Sequence, residues 1–138
     1  MQRSDEVQGF LASVIQTFGT PQMVSEFSSA MSTEPGTLFL GTDPEEWWDD
    51  PDVRSRVWKA QGEELLGAVV TVTHSEGWVE GDVGWGAMKV NIAFGGELVG
   101  MMRFTATLAR RSGGWKIVQG HFSVGVPNEA VVGKELTV

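Results

Sequence analysis

The chain contains no cysteine and no tyrosine, only two histidines, and ten lysines and arginines against eighteen aspartates and glutamates in 138 residues. Each shortage excludes something. Without cysteine there is no disulfide framework, no thiolate nucleophile and no cysteine metal site, which fits a reducing compartment without requiring one. His74 and His121 are too few first-choice ligands, and too far apart, for a metal centre, so neither metal nor other cofactor is expected. A net charge of -8 repels phosphate backbones and anionic headgroups, because attraction to either needs clustered Lys and Arg. Nucleic acid and membrane are therefore excluded as partners. No apolar run approaches the ~18 residues that cross a bilayer. The first residues lead into an amphipathic stretch rather than an apolar signal core, and the reading is a soluble cytoplasmic protein.

What is present is ordinary globular material, 41% hydrophobic and 20% charged, with an unusual six tryptophans. The length suits a single domain over residues 1–138 with one core, burying roughly two-thirds of the unfolded chain's surface. Val7, Phe10, Leu11, Val14, Ile15 and Phe18 recur at helical spacing, with Ser4 to cap the start and Gly19 to end the helix. Thr20-Pro21 opens a second, shorter helix with Phe27 and Met31 on its stripe. A short apolar run, Thr37 to Leu40, reads as a strand. Asp43-Pro44 with Glu46 is a helix-start signal of capping-box type. Asp50-Pro51-Asp52 is another, opening a third helix through about Leu66 with Val53, Val57, Trp58 and Leu65 on one stripe. The acids between Asp43 and Asp52 lack the spacing, glycine and terminal glutamate of a calcium loop, and capping accounts for them.

From Ala68 the period changes to two. Ala68 to Val79, Val83 to Phe94, Leu98 to Arg110 and Trp115 to Val124 read as four strands joined by Glu80-Gly81, Gly95-Gly96-Glu97 and Ser112-Gly113-Gly114, each of hairpin length. Helices followed by a meander imply an α+β fold in which the helices cover one face of an antiparallel sheet. The tail from Pro127 to Val138 carries no signal that places it.

A three-residue loop at Ser112-Gly113-Gly114 pairs Arg111 with Trp115. Phe104, Ala106 and Leu108 then share the inward face with Val118, Gly120 and Phe122. Arg103, Thr105, Gln119, His121 and Ser123 share the outer one, facing water or a second subunit. A two-residue loop at Glu80-Gly81 places Val72, His74, Glu76 and Trp78 on the same face as Val83, Trp85, Ala87 and Lys89. That mixture of aromatic and ionisable groups suits a ligand cavity between sheet and helices. His74 is the candidate proton carrier there, because histidine titrates near neutrality. His121 and Ser123 on one strand face have neither the geometry nor the acid of a nucleophile triad. The glycine-rich Gly81 to Gly86 leads into a strand rather than a helix, which excludes a phosphate loop.

The segment Gly114-Trp115-Lys116-Ile117-Val118 with His121 and Ser123, after Arg103-Phe104-Thr105 and Arg110-Arg111-Ser112-Gly113, resembles the SnoaL-like group of the nuclear-transport-factor-2-like, or ketosteroid-isomerase-like, superfamily. Gly41-Thr42-Asp43-Pro44, Glu46-Trp47-Trp48 and Gly81 to Trp85 look similar to segments of the same group. The last strands also resemble the association domain of calcium/calmodulin-dependent kinases. The resemblance implies a cone of three N-terminal helices on a strongly curved antiparallel sheet, a deep pocket, and a homodimer on the sheet's outer face. It implies a small-molecule pocket, with isomerases, cyclases and dehydratases among the superfamily's enzymes beside members that only dimerise or sense a ligand. Fold leaves function open. Two departures matter. Oxyanion holes of the isomerase type use a tyrosine, and this chain has none. The kinase domain's pocket arginines match Ala87, Ala106 and Phe122 here, which points to a more apolar pocket. The expected lining is Trp58, His74, Glu76, Trp85, Met102, Phe104 and Phe122.

Overall fold

The computed structural model describes residues 1–138. Strand β1 (Gln2–Arg3) leads into helix α1 (Asp5–Ile15), whose first turn is closed by the Ser4 hydroxyl accepting from the Val7 N–H at 3.1 Å. Helix α2 is Met23–Ala30, strand β2 Leu38–Leu40, strand β3 Trp47–Trp48 and helix α3 Pro51–Glu64. Strands β4 (Val69–Glu80), β5 (Val83–Phe94), β6 (Glu97–Arg111) and β7 (Gly114–Val124) follow, and the tail forms a short, unburied helix α4 (Asn128–Val132).

Seven strands form one curled sheet in the order β1-β4-β5-β6-β7-β2-β3. The long meander is antiparallel as its hairpin loops require, but β2 joins β7 in parallel, Phe39 beside Gly120, so the sheet is not wholly antiparallel. Residues of opposite parity face opposite sides. On the inner side Met88, Val90, Phe104, Ala106, Leu108, Ile117 and Phe122 are buried, and Val7, Leu11, Val14 and Ile15 of α1 close over them. Side chains would obstruct that approach at one point. A Cβ on Gly77 would stand 2.6 Å from the Ser4 carbonyl oxygen and closer still to the Gln8 nitrogen, so only glycine lets the start of α1 lie on β4.

Three local expectations change. The capping bonds predicted at Asp43 do form, with Asp43 Oδ1 accepting from the Glu45 N–H at 2.8 Å and Glu46 Oε1 from the Asp43 N–H at 2.9 Å. No helix follows them, because Trp47 and Trp48 pair with Leu40 and Phe39 and Trp48 is buried against the Phe39 ring. The last hairpin is one residue tighter than expected, with Arg111 opposite Gly114 and Arg110 opposite Trp115. An irregularity then intervenes, since Leu108 faces Ile117 while Thr107 faces Gln119, which leaves Val118 unpaired. It restores the expected pairing of Phe104 with Phe122 and buries Ile117 where Val118 was expected to point inward.

Candidate functional site

Between the sheet and the helices lies a cavity of about 310 Å³. Phe39, which the parallel pairing of β2 with β7 carries inward, lines it and is the hub of its aromatic ring contacts. The Phe39 ring stacks on Trp48 at 6.1 Å, meets Trp58 edge-on at 5.5 Å and lies 5.9 Å from Phe122. Phe18, Met23, Phe27 and Leu65 line the helical side, while Ile92, Met102 and Phe122 line the sheet side. Gly41, Thr42, Glu46, Gln61 and Glu64 make the polar rim. Glu46 is held from two directions: Oε1 takes the Asp43 N–H, and Oε2 accepts from Gln61 Nε2 at 2.9 Å.

Behind this cavity, α3 buries a charge. Arg54 is 2% exposed, and its guanidinium donates to the carbonyl oxygens of Thr37, Trp48 and Ser32, each at 3.2 Å. Burial lowers its pKa, and the nearby Asp50 and Asp49 carboxylates work against that shift. One side chain thereby ties the strand carrying Phe39, the strand carrying Trp48 and the helix carrying Trp58. Sequence reasoning missed it, since an arginine one helical turn before Trp58 carries no signal of burial. It also missed Glu46 as a rim carboxylate: its capping role was legible, but its second oxygen's partner lies on α3.

Of the residues expected to line the cavity, Trp58, Met102 and Phe122 do. Phe104 is buried in the wall behind them, its ring 4.7 Å from that of Phe122. His74, Glu76 and Trp85 do not, and this corrects the expected face. Trp85 pairs with Thr107 and Ala87 with Thr105, so the odd-numbered residues of β5 continue the outer face. An irregularity between Val72 and His74 switches β4 midway, leaving Val72 opposite the buried Val90 and sending His74, Glu76 and Trp78 outward.

The outer face therefore holds both sets of residues. Rows run across it from Trp78 through Trp85 and Thr107 to Gln119, from Glu76 through Ala87 and Thr105 to His121, and from His74 through Lys89 and Arg103 to Ser123. The first two rows border a second hollow of about 460 Å³. His74 Nε2 lies 3.3 Å from Glu76 Oε1, and Trp78 Nε1 donates to the other oxygen at 3.5 Å. The His74 hydrogen bond, then that of Trp78, holds the Glu76 carboxyl below the ordinary glutamate range. No group of three or more His, Asp or Glu is arranged to hold a metal ion, and no helix is long and apolar enough to cross a membrane.

Three helices on a curled sheet, with an aromatic-lined cavity between the layers, define a cone-shaped α+β domain. The chain belongs to the SnoaL-like domain family, whose model matches residues 14–127. No curated protein matches it by sequence. Among solved structures it is similar to a nuclear-transport-factor-2-like protein of unknown function from Pseudomonas putida, with a TM-score of 0.74 and 14% identity over 98% of this chain and 96% of that one. It is also similar to a candidate ketosteroid isomerase from Parabacteroides distasonis, with a TM-score of 0.71 and 12% identity over 90% and 92%. A Mycobacterium tuberculosis protein of unknown function gives a TM-score of 0.72 and 14% identity over 90% and 73%. At such identities these likenesses establish the fold alone.

Proposed function

We propose that this protein binds a small, largely apolar molecule in the cone. The observation that carries the reading is the cavity itself, about 310 Å³, walled by aromatic rings and methionines and with polar groups confined to the rim. That volume lies at the lower end of the roughly 300–1,000 Å³ of small-molecule sites, and an apolar wall with few polar groups is their usual composition. An isomerase, cyclase or dehydratase needs an acid or base beside the reacting atoms. With His74 on the other face, Glu46 and Glu64 are the titratable side chains that reach the cavity, and both lie on its rim. The composition thus supports binding or sensing over turnover. The test is thermal denaturation with increasing 2-phenylethanol, a neutral ring compound. Stabilisation should rise with ligand concentration as mass action requires, and Met102→Trp, which fills the cavity, should abolish it. Absence of stabilisation, or its survival in Met102→Trp, refutes the reading.

The outer face supports a second role, that of a homodimer interface. Its particular observation is Trp78 beside Trp85 in cross-strand register, both half-buried, with Val83 47% exposed next to them and Thr105, Gln119 and His121 around them. Aromatic residues inside a polar surround are the usual anatomy of such an interface. Sedimentation velocity should give a dimer that Trp85→Arg converts to monomer and His121→Ala weakens. Unchanged sedimentation of both variants counts against this face.

A further inference from the structure

The rim of the aromatic cavity is of one sign. Thr42, Glu46, Gln61 and Glu64 are the polar side chains that reach it, and no lysine, arginine or histidine does. The inward-facing arginine of α3, Arg54, is spent on three carbonyl oxygens and does not line the cavity. Glu46 is already oriented by the Asp43 N–H and Gln61, so its carboxylate is fixed before any ligand arrives. Glu64 follows Gln61 by three residues on α3 and takes part in no ion pair. Below the rim stand the rings of Phe18, Phe27, Phe39, Trp48, Trp58 and Phe122. Aromatic faces carry negative charge density and attract cations. Rim and walls thus favour the same sign of ligand, and an anion would meet two carboxylates with no counter-charge.

We propose that the occupant of this cavity is an organic cation, an ammonium whose ring-bearing body fills the aromatic chamber while its charged nitrogen sits at the rim shared by Glu46, Gln61 and Glu64. The inference rests on the small-molecule reading above and names the ligand class for the same site. Gln61 has one amide hydrogen committed to Glu46, and its carbonyl oxygen is a further acceptor for an N–H. The polar atoms presented to the ligand are thereby mostly acceptors, as an ammonium with only donors requires.

Three probes of one shape separate the alternatives in isothermal titration at near-neutral pH and low salt: 2-phenylethylammonium, 2-phenylethanol and phenylacetate. The ammonium should bind about tenfold more tightly than the alcohol, the sum of modest ion-pair and cation–π gains, and phenylacetate should bind least. In Glu46→Gln/Glu64→Gln the ammonium's advantage over the alcohol should shrink to about twofold, the residual cation–π part. Glu64→Gln alone disturbs no hydrogen bond and should give an intermediate preference, which protects the result against a folding defect at Glu46. Equal affinity of ammonium and alcohol, or a preference of about tenfold that persists undiminished in the double variant, overturns the charge selection and leaves the pocket reading standing. Failure of all three probes to bind overturns both.

Discussion

Replacing Arg54 with methionine keeps most of the side-chain volume and removes the guanidinium. Three hydrogen bonds from a charged donor are lost, each worth on the order of 1.5–3 kcal/mol net, and three carbonyl oxygens in a buried region lose a partner. Against this, the cost of holding a guanidinium out of water, several kcal/mol, is recovered. With partial relaxation of the backbone around Ser32 and Thr37, the balance is a destabilisation of about 3 kcal/mol, a large part of the roughly 5–15 kcal/mol that a domain has. For a chain of this length that is a fall in Tm of about 10 °C, measurable by differential scanning calorimetry. Arg54→Lys keeps the charge but cannot span three carbonyls, so it should lose a good part of the same stability. The clamp holds the strands of Phe39 and Trp48 to the helix of Trp58, so both variants should also bind 2-phenylethanol more weakly at temperatures where they remain folded. A Tm for Arg54→Met within about 2 °C of the parent, roughly 0.5 kcal/mol by the same conversion, would refute the claim that this arginine ties the strands of Phe39 and Trp48 to the helix of Trp58.

Two further outcomes follow from single contacts. Arg111 Nε donates to Glu34 Oε2 at 2.8 Å, and this hydrogen bond, with the Arg111 charge and a smaller contribution from Ser32, lowers the Glu34 pKa from its ordinary 4.5. A carboxyl depressed in the folded state contributes stability above its ordinary range and loses it as the pH falls through the folded value. Glu34 should therefore titrate by NMR below the ordinary midpoint, and Arg111→Gln should raise it; a midpoint indifferent to that substitution would dismiss the pair. Gly77→Ala should cost about 1–3 kcal/mol, as overpacking does, because the new methyl meets backbone atoms of Ser4 and Gln8 rather than a movable side chain. Chemical denaturation reads this directly, and an unshifted midpoint would mean that α1 does not lie on β4 as described.

Helices α1 and α3 were legible because their signals are local: caps at Ser4 and Asp50, stripes at helical spacing, a proline where the first turn tolerates it. The four long strands were legible from their alternation and glycine turns, whereas the expected pairing of Phe104 with Phe122 holds only because the irregularity at Val118 offsets a hairpin one residue tighter than the sequence suggested. The face of His74 was not. Alternation says which residues share a side, but which side is inner depends on how β5 pairs with β6 and on the irregularity after Val72, both set by partners far along the chain. The same limit hid β1, β3 and the parallel seat of β2, each too short to carry a period.

By itself, the sequence determined an α+β chain without cysteine chemistry, with capped amphipathic helices and an apolar strand face to cover, because those properties reside in neighbouring residues and their spacing. Only the tertiary structure decided that Phe39 joins the rings that line the cavity, that Glu46 and Glu64 both border it, that Arg54 is buried against the carbonyls of Ser32, Thr37 and Trp48, and that both histidines lie on the opposite face. Those are relations among β2, α3 and the meander. Distant segments meet only through folding, and a single added residue at one irregularity is enough to turn a side chain from the core to the surface.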